Sequence, residues 1–319
     1  MKLKAYSGYS YKVKEEVALS ITGRKRSDAC LLGLLCSCQN KELLLTTDNP
    51  VLRELFIRLC SYASGDKDCI TERIERSRGR PARFILEVPS SINRETILKR
   101  LGITGVSKQD IIEKANRLSD NIFGSFVSGL FLSCGTMSSP EKEYHLELSF
   151  GSEQLRDWLI PALKNRFGII SKPSERKKSS SYILYLKGSE GIEDFLTLVG
   201  APMSSLEIMN VKVYKDIRNR VNRATNCDTA NCDRQDRSCA RQIEAIRLIQ
   251  SSRGGLGSLP EELREAARLR LSHPELSLSE LCRELDPPIS KSGLNHRLKR
   301  IEEYAGTLES VSQPSEKEE

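Results

Sequence analysis

The spacing of apolar residues changes period several times along this chain, and each change marks an element. Val13, Val17, Leu19 and Ile21 recur at helical spacing and predict an amphipathic helix over residues 10–22. A basic turn, Gly23-Arg24-Lys25-Arg26, separates it from a strongly apolar helix expected over residues 28–37. A short strand is expected at 42–46, a helix at 49–61, and strands near 68–75 and 82–88. The turn joining the last two carries Arg76, Arg78 and Arg80.

From about residue 118 the order replays. An apolar helix is expected over 120–134, an alternating strand over 143–150, and a helix over 152–167. Strands near 168–173 and 181–187 follow, joined by a turn with Arg176, Lys177 and Lys178, and then a short helix over 189–198. The repeated unit is helix, strand, helix, strand, strand. A duplication of about 100 residues is a stronger inference than any single element in it.

The remainder is helical and polar. Residues 207–250 read as mainly helix, and Ser251–Ser258, SSRGGLGS, as a flexible linker. Three short helices follow with their punctuation intact. Pro260 opens the first and Pro274 closes it. Ser277 or Ser279 can cap the second, whose apolar residues are Leu278, Leu281, Cys282 and Leu285. Asp286-Pro287-Pro288 breaks the chain, and Ser290 can cap the third, with Leu294, Leu298 and Ile301 on its buried side. That third helix carries Lys291, Asn295, His296, Arg297, Lys299 and Arg300, and no acid before Glu302. One helix bracing a basic, amide-bearing second across a tight break is the arrangement a helix-turn-helix needs.

These segments predict an α+β fold: a duplicated helix/sheet domain followed by an all-α helix-turn-helix domain. The halves are expected at 1–115 and 116–206, a helical connector and linker at 207–258, the helix-turn-helix at 259–305, and a structureless tail at 306–319. The net charge of +7 suits a polyanionic partner without requiring one. No apolar run approaches the roughly 18 residues of a membrane span, and the N-terminal residues hold no apolar stretch of the secretory kind, so a cytoplasmic protein at the nucleoid is expected. The ten cysteines sit mostly inside apolar helical patterns, as reduced thiols would. Cys227, Cys232 and Cys239 form the one cluster, but their spacings of five and seven lack a CxxC knuckle and a nearby histidine, so no metal or cofactor is expected.

Both apolar helices hold a small residue among large ones: Gly33 within ACLLGLLCSC and Gly129 within FVSGLFLSCG. A glycine there costs about 1 kcal/mol relative to alanine. Close approach of two backbones can repay it. On these residues the chain resembles the LAGLIDADG homing-endonuclease fold, in which two such helices pack on a pseudo-two-fold axis and each ends in a metal-holding acid. Cys134 and Cys38 stand at the acid positions, and Gln39 replaces the closing glycine. Mg²⁺ needs hard oxygen ligands, which a neutral thiol does not provide. A catalytically inactive scaffold with no catalytic residues is therefore expected. An active endonuclease would have to draw on Asp28, Asp120 or Glu141, none at the right spacing.

Over nearly its full length the chain also resembles the WhiA family of bacterial regulators. The resemblance rests on SYKVKEE at Ser10–Glu16, the stretch from Gly129 to Tyr144-His145-Leu146-Glu147, NRATNCDTAN at Asn222–Asn231, and SKSGLNHR at Ser290–Arg297. It implies a transcriptional regulator linked to cell division, chromosome segregation and, in spore formers, sporulation.

The residues themselves point to double-stranded DNA as partner. Ser290 and Ser292 suit phosphate contact at a helix N-terminus, Lys291, Asn295 and His296 base edges, and Arg297, Lys299 and Arg300 phosphates. A second basic run offers Lys212, Lys215, Arg218, Arg220, Asn222, Arg223 and Asn226, either to phosphates or to solvent. The basic hairpin turns read slightly better as solubilising charges. A protein-interaction scaffold with auxiliary DNA binding, its partner another transcription or cell-division protein, is the alternative. A monomer is expected, because the internal pseudo-symmetry lets one chain do what a dimer would.

Overall fold

The computed structural model describes residues 8–38, 43–76, 81–176 and 181–312. The chain forms two compact units, Met1–Asp216 and Ile217–Glu319.

The first unit opens with α1 (Tyr9–Ser20) and α2 (Arg24–Leu35). There follow β1 (Leu45–Thr47), α3 (Pro50–Ser64), β2 (Thr71–Glu75), β3 (Arg83–Glu87), α4 (Ser91–Leu101) and α5 (Lys108–Asn116). The second half runs α6 (Asp120–Cys134), β4 (Gly135–Met137), β5 (His145–Phe150), α7 (Glu153–Phe167), β6 (Lys172–Arg176), β7 (Ser181–Lys187) and α8 (Ser189–Leu198). Two antiparallel sheets result, ordered β1-β3-β2 and β4-β5-β7-β6. Strand for strand, β1, β3 and β2 take the places of β5, β7 and β6. The helices between them match as well. Asn49 caps α3 by accepting from the Val51 amide at 2.9 Å, Ser152 caps α7 by accepting from that of Leu155 at 3.4 Å, and each helix ends at a left-handed glycine, Gly65 or Gly168. The duplication expected from the sequence is thus built into the fold.

At its centre α2 packs on α6 through their glycines. A Cβ on Gly33 would overlap the Phe126 carbonyl oxygen and lie 3.1 Å from the Gly129 Cα; a Cβ on Gly129 would overlap the Cys30 carbonyl oxygen. Both glycines are therefore required by backbone contact, as expected. Leu31, Leu34, Phe126 and Leu130 are fully or nearly fully buried around them.

Several elements differ from expectation. Gly23, at φ +77°, takes the turn alone, so Arg24–Arg26 begin α2 rather than forming a loop. Helices α4 and α5 and strand β4 were not foreseen. Strand β6 starts at Lys172, not near 168, because Gly168 closes α7 and the next residue, Ile169, is buried.

Residues 202–251 form one helix, α9 (Pro202–Ser251), which begins in the first unit and ends in the second. In the second unit its last turns, through Ile246 and Ile249, share a core with α10 (Glu261–Ser272), α11 (Leu278–Glu284) and α12 (Lys291–Ser312). The expected linker is ordered instead: Gly255–Ser258 is a 3-10 turn, Leu256 packs on that core and Leu259 is buried. The expected tail is also corrected as far as Ser312, since α12 runs through Gly306 to that residue.

Candidate nucleic-acid interface

The second unit presents α12 on a prebuilt support. Ser277 caps α11 in a reciprocal box: its hydroxyl accepts from the Glu280 amide at 3.3 Å, and the Glu280 carboxylate accepts from the Ser277 amide at 2.8 Å. The Glu280 carboxyl is accordingly held below the usual carboxylate range by these bonds. Leu281 and Cys282 from α11 and Leu285 just after it share a core with Leu294, Leu298 and Ile301 from α12, all buried, with Leu263, Ala266 and Ala267 of α10 completing it. At the start of α12 the Ser290 hydroxyl accepts from the Gly293 amide at 3.1 Å and lies 3.0 Å from that of Ser292.

Because successive helical residues turn by about 100°, these buried positions fix what faces away. Ser292, His296 and Lys299 are exposed on the side of α12 opposite the core, and Lys291 and Asn295 are exposed along its flank. Arg300 is exposed on that outward side as well. Arg297 is turned differently. It is half-buried beside the core positions, with Nη2 3.9 Å from the Glu262 carboxylate of α10. Four kinds of donor therefore project together from the face: ammonium, hydroxyl, amide and imidazole. None of the five is held in an ion pair among the described residues. A face of this composition can donate to phosphate oxygens and pair with base edges in a major groove.

The second basic run separates into two parts. In the first unit Lys212 is bound to Glu190 at 3.1 Å, and Lys215 donates to the Pro140 carbonyl at 2.7 Å while its ammonium sits 4.5 Å from the centroid of the Tyr144 ring. Both are engaged by their own fold. In the second unit Arg218, Asn222, Arg223 and Asn226 are exposed on one side of α9, and Arg220 is exposed on another. Of the hairpin cations, Arg176 is bound to Glu147 at 2.7 Å, while Arg78, Arg80, Lys177 and Lys178 lie outside the described residues.

At the C-terminal ends of the paired glycine helices the Ser37 hydroxyl donates to that of Ser133 at 2.7 Å. Cys134 follows at once, its thiol donating to the Leu130 carbonyl at 2.9 Å, and the Cys38 thiol donates to that of Leu34 at 3.8 Å. Burial pushes both thiols up to about 12, so neither is a thiolate at neutral pH. Gln39 lies outside the described residues. The three alternative acids do not gather here. Asp28, near the start of α2, is bound to Arg100 at 2.8 Å, and Asp120, the first residue of α6, to Arg166 at 2.6 Å. Glu141 is exposed on the turn before β5. Cys227 and Cys232 are exposed, the Cys239 thiol donates to the Pro274 carbonyl at 3.2 Å, and no three metal-ligating side chains converge among the described residues. Nor is any described helix long and apolar enough to cross a membrane.

The family model of the WhiA C-terminal HTH domain matches residues 221–305, and that of the WhiA LAGLIDADG-like domain matches residues 123–218. A probable cell division protein WhiA from Clostridium botulinum is 35% identical over 314 residues, covering 94% of this chain and 98% of that one. The chain belongs to the WhiA family. Another relative of the same name, from Clostridium novyi, is 36% identical over 315 residues with the same coverage. The crystal structure of full-length WhiA from Thermotoga maritima is similar over 94% of this chain and 98% of that one, at a TM-score of 0.54 and 26% identity. The WhiA C-terminal domain begins inside α9, in keeping with the core that the end of this helix shares with α10, α11 and α12. Sequence reasoning passed over Lys14, which lies close to Cys134. Its only sequence signal is a lysine one residue after the buried Val13 on an amphipathic helix.

Proposed function

We propose that this WhiA protein is a DNA-binding transcription regulator acting in cell division and chromosome segregation, and in sporulation where the host forms spores. The observation that carries the reading is the exposed surface of α12, where Lys291, Ser292, Asn295, His296 and Lys299 project from a capped and packed helix-turn-helix. Ser290, Arg300 and the exposed Arg218, Arg220, Asn222, Arg223 and Asn226 add phosphate contacts. Lys212 and Arg297, held by acids of the fold, contribute less. The LAGLIDADG-like domain does not cut DNA: two protonated thiols stand where hard ligands would be needed, and the nearby acids are bound to arginines elsewhere. The protein acts as a monomer in the cytoplasm, at the nucleoid.

The test is a salt series of DNA binding by the full chain, on random duplex and on genomic fragments that the protein itself selects. Support is a steep salt slope, loss of selected-fragment binding in Lys291→Ala/Lys299→Ala, and intact supercoiled DNA in Mg²⁺. Binding that survives the double variant, or Mg²⁺-dependent nicking, overturns the reading.

A protein partner is the second reading. On α9, Val213, Tyr214, Ile217 and Val221 are each more than half exposed, Tyr214 at 76%. Co-purification of a host transcription or division protein with the wild type and not with Tyr214→Asp would favour it.

A further inference from the structure

Between α1, the end of β1 and the end of α6 lies a cavity of about 630 Å³. Sites for small ligands are commonly of this size. Its walls are rich in hydroxyls, with Ser10, Thr46, Thr47 and Ser133 among them. Its charged lining is two cations, Lys14 from α1 and Arg83 from the start of β3, and one acid, Asp48, which follows β1.

Lys14 is the unusual group. Its side chain is partly buried, yet among the described residues no hydrogen bond or ion pair reaches its ammonium. The nearest ring, Phe131, has its centroid 5.9 Å away. The groups that bear on its charge are Cys134 and Asp48. Cys134 is a protonated thiol and offers no counter-charge, and Asp48 is exposed and does not close an ion pair. A shielded cation without a partner is costly. A fold keeps such a group most readily when an anion from outside completes it. Arg83, exposed at the rim, adds a planar fork suited to a phosphate, and the hydroxyls can donate to the remaining oxygens.

We propose that this cavity is a phosphate-binding site, in which Lys14 and Arg83 hold a phosphate group with the hydroxyls of Ser10, Thr46 and Thr47 as further donors. The phosphate belongs either to a small free compound such as a nucleotide or to a DNA backbone. The site lies in the first unit and does not depend on the DNA-reading role of α12.

The probes are inorganic phosphate, pyrophosphate and AMP, added to the full chain at ionic strength matched with chloride. Binding is followed by calorimetry and by thermal unfolding. Saturable binding by at least one probe is expected, weakened at least tenfold in Lys14→Met and at least threefold in Arg83→Gln. Lys14→Met should melt no lower than the wild type without ligand, since it removes an unpaired charge; Arg83→Gln, at an exposed position, guards against a folding defect in the first variant. Displacement of bound phosphate by random duplex in a Lys291→Ala/Lys299→Ala background assigns the phosphate to DNA. Displacement by AMP alone assigns it to a free compound; either result supports the site. No saturable binding above chloride, or binding unchanged in both variants, overturns it.

Discussion

The Ser37 hydroxyl donates to the Ser133 hydroxyl at 2.7 Å, and the two serines are 96 residues apart. The same offset carries Gly33 onto Gly129 and Cys38 onto Cys134. The equivalent glycines and serines of the two halves thus meet along the pseudo-two-fold axis of the LAGLIDADG-like domain. Ser133 also donates to the Gly129 carbonyl at 3.0 Å, so the hydroxyl pair ties the glycine crossing to the thiol positions beyond it. The axis is closed by neutral hydrogen bonds and backbone contact. Where a nuclease would collect negative charge and metal, this chain collects thiols and serines.

The crossing sets the first prediction. A methyl on Gly129 would overlap the Cys30 carbonyl oxygen and stand 2.9 Å from the Leu34 amide nitrogen, both backbone atoms that cannot swing aside. Gly129→Ala should lose about 1–3 kcal/mol, the usual range for overpacking. Gly151, around which a Cβ meets nothing within 4 Å, serves as control; Gly151→Ala should stay within about 0.5 kcal/mol of wild type. Urea unfolding of both variants decides it, and equal midpoints would mean the helices do not cross at these glycines.

The buried thiols set a pH dependence. Burial raises Cys30, Cys36, Cys38 and Cys134 from an ordinary value near 9 to about 12. Between those values the folded chain keeps protons that the unfolded chain gives up. The stabilisation is therefore complete below about pH 9 and is lost as pH climbs toward 12, with a ceiling of about 1.4 kcal/mol per pH unit for each thiol. Lys14, pushed down by burial, opposes this as a single group. Denaturant midpoints should fall from pH 8.5 to 10.5, and Cys36→Ala/Cys134→Ala should flatten the fall. The exposed Cys227 and Cys232 should react with a thiol reagent before unfolding, and the buried Cys30, Cys36 and Cys38 only with it.

What the sequence made legible follows from where the deciding forces act. Helix α6 reads off the chain between Asp120 and Cys134 because every residue from Phe123 to Leu132 is buried, and only small residues and large apolar ones occur in that stretch. The Ser277 cap is local chemistry and is equally plain. Helices α4 and α5 were missed because few of their residues are buried, although Ser90, Gly102 and Ser107 punctuate them. Gly168-Ile169-Ile170 looks like the start of a strand, yet the glycine ends a helix and Ile169 enters the core. SSRGGLGS has the composition of a linker, but Leu256 and Leu259 have a tertiary surface to meet. The DNA-contact candidates sort in the same way. Nothing near Lys212 in sequence announces Glu190 across the fold, and Arg297 differs from Arg300 only through its angle to Leu294 and Leu298.

The capping box gives a third prediction. Ser277→Ala removes the hydroxyl that accepts from the Glu280 amide, and such caps are worth about 1 kcal/mol. Hydrogen exchange at the first amides of α11 in the full chain should speed up, with amides of α6 unchanged. The Glu280 carboxyl, held low by its bonds to Ser277, contributes stability that is present above the ordinary glutamate range and lost as pH falls through its folded value. Acidification should therefore loosen α11 in the wild type and have less effect on it in Glu280→Ala. Unchanged exchange in Ser277→Ala would remove the cap from the account.

The reading side of α12 makes the most demanding prediction, because it separates residues of the same charge by where they point. Asn295 has no charge to offer, so its value lies in pairing with a base edge. Asn295→Ala should cost about 1–3 kcal/mol on the preferred fragment, little on random duplex, and should relax preference at one position of the site. Lys299, one turn further on the same exposed side, should act on phosphate. Lys299→Ala should weaken binding about equally on both duplexes and lower the salt slope by about 1. Arg297→Ala should perturb the packing against Glu262 more than the salt slope, because its guanidinium points toward α10. Lys212→Ala, which breaks an ion pair with Glu190 inside the first unit, should leave both affinity and slope near wild type. Fluorescence anisotropy over a salt series on all four variants tests the set, and a Lys212 effect equal to that of Lys299 would place the DNA on a different surface.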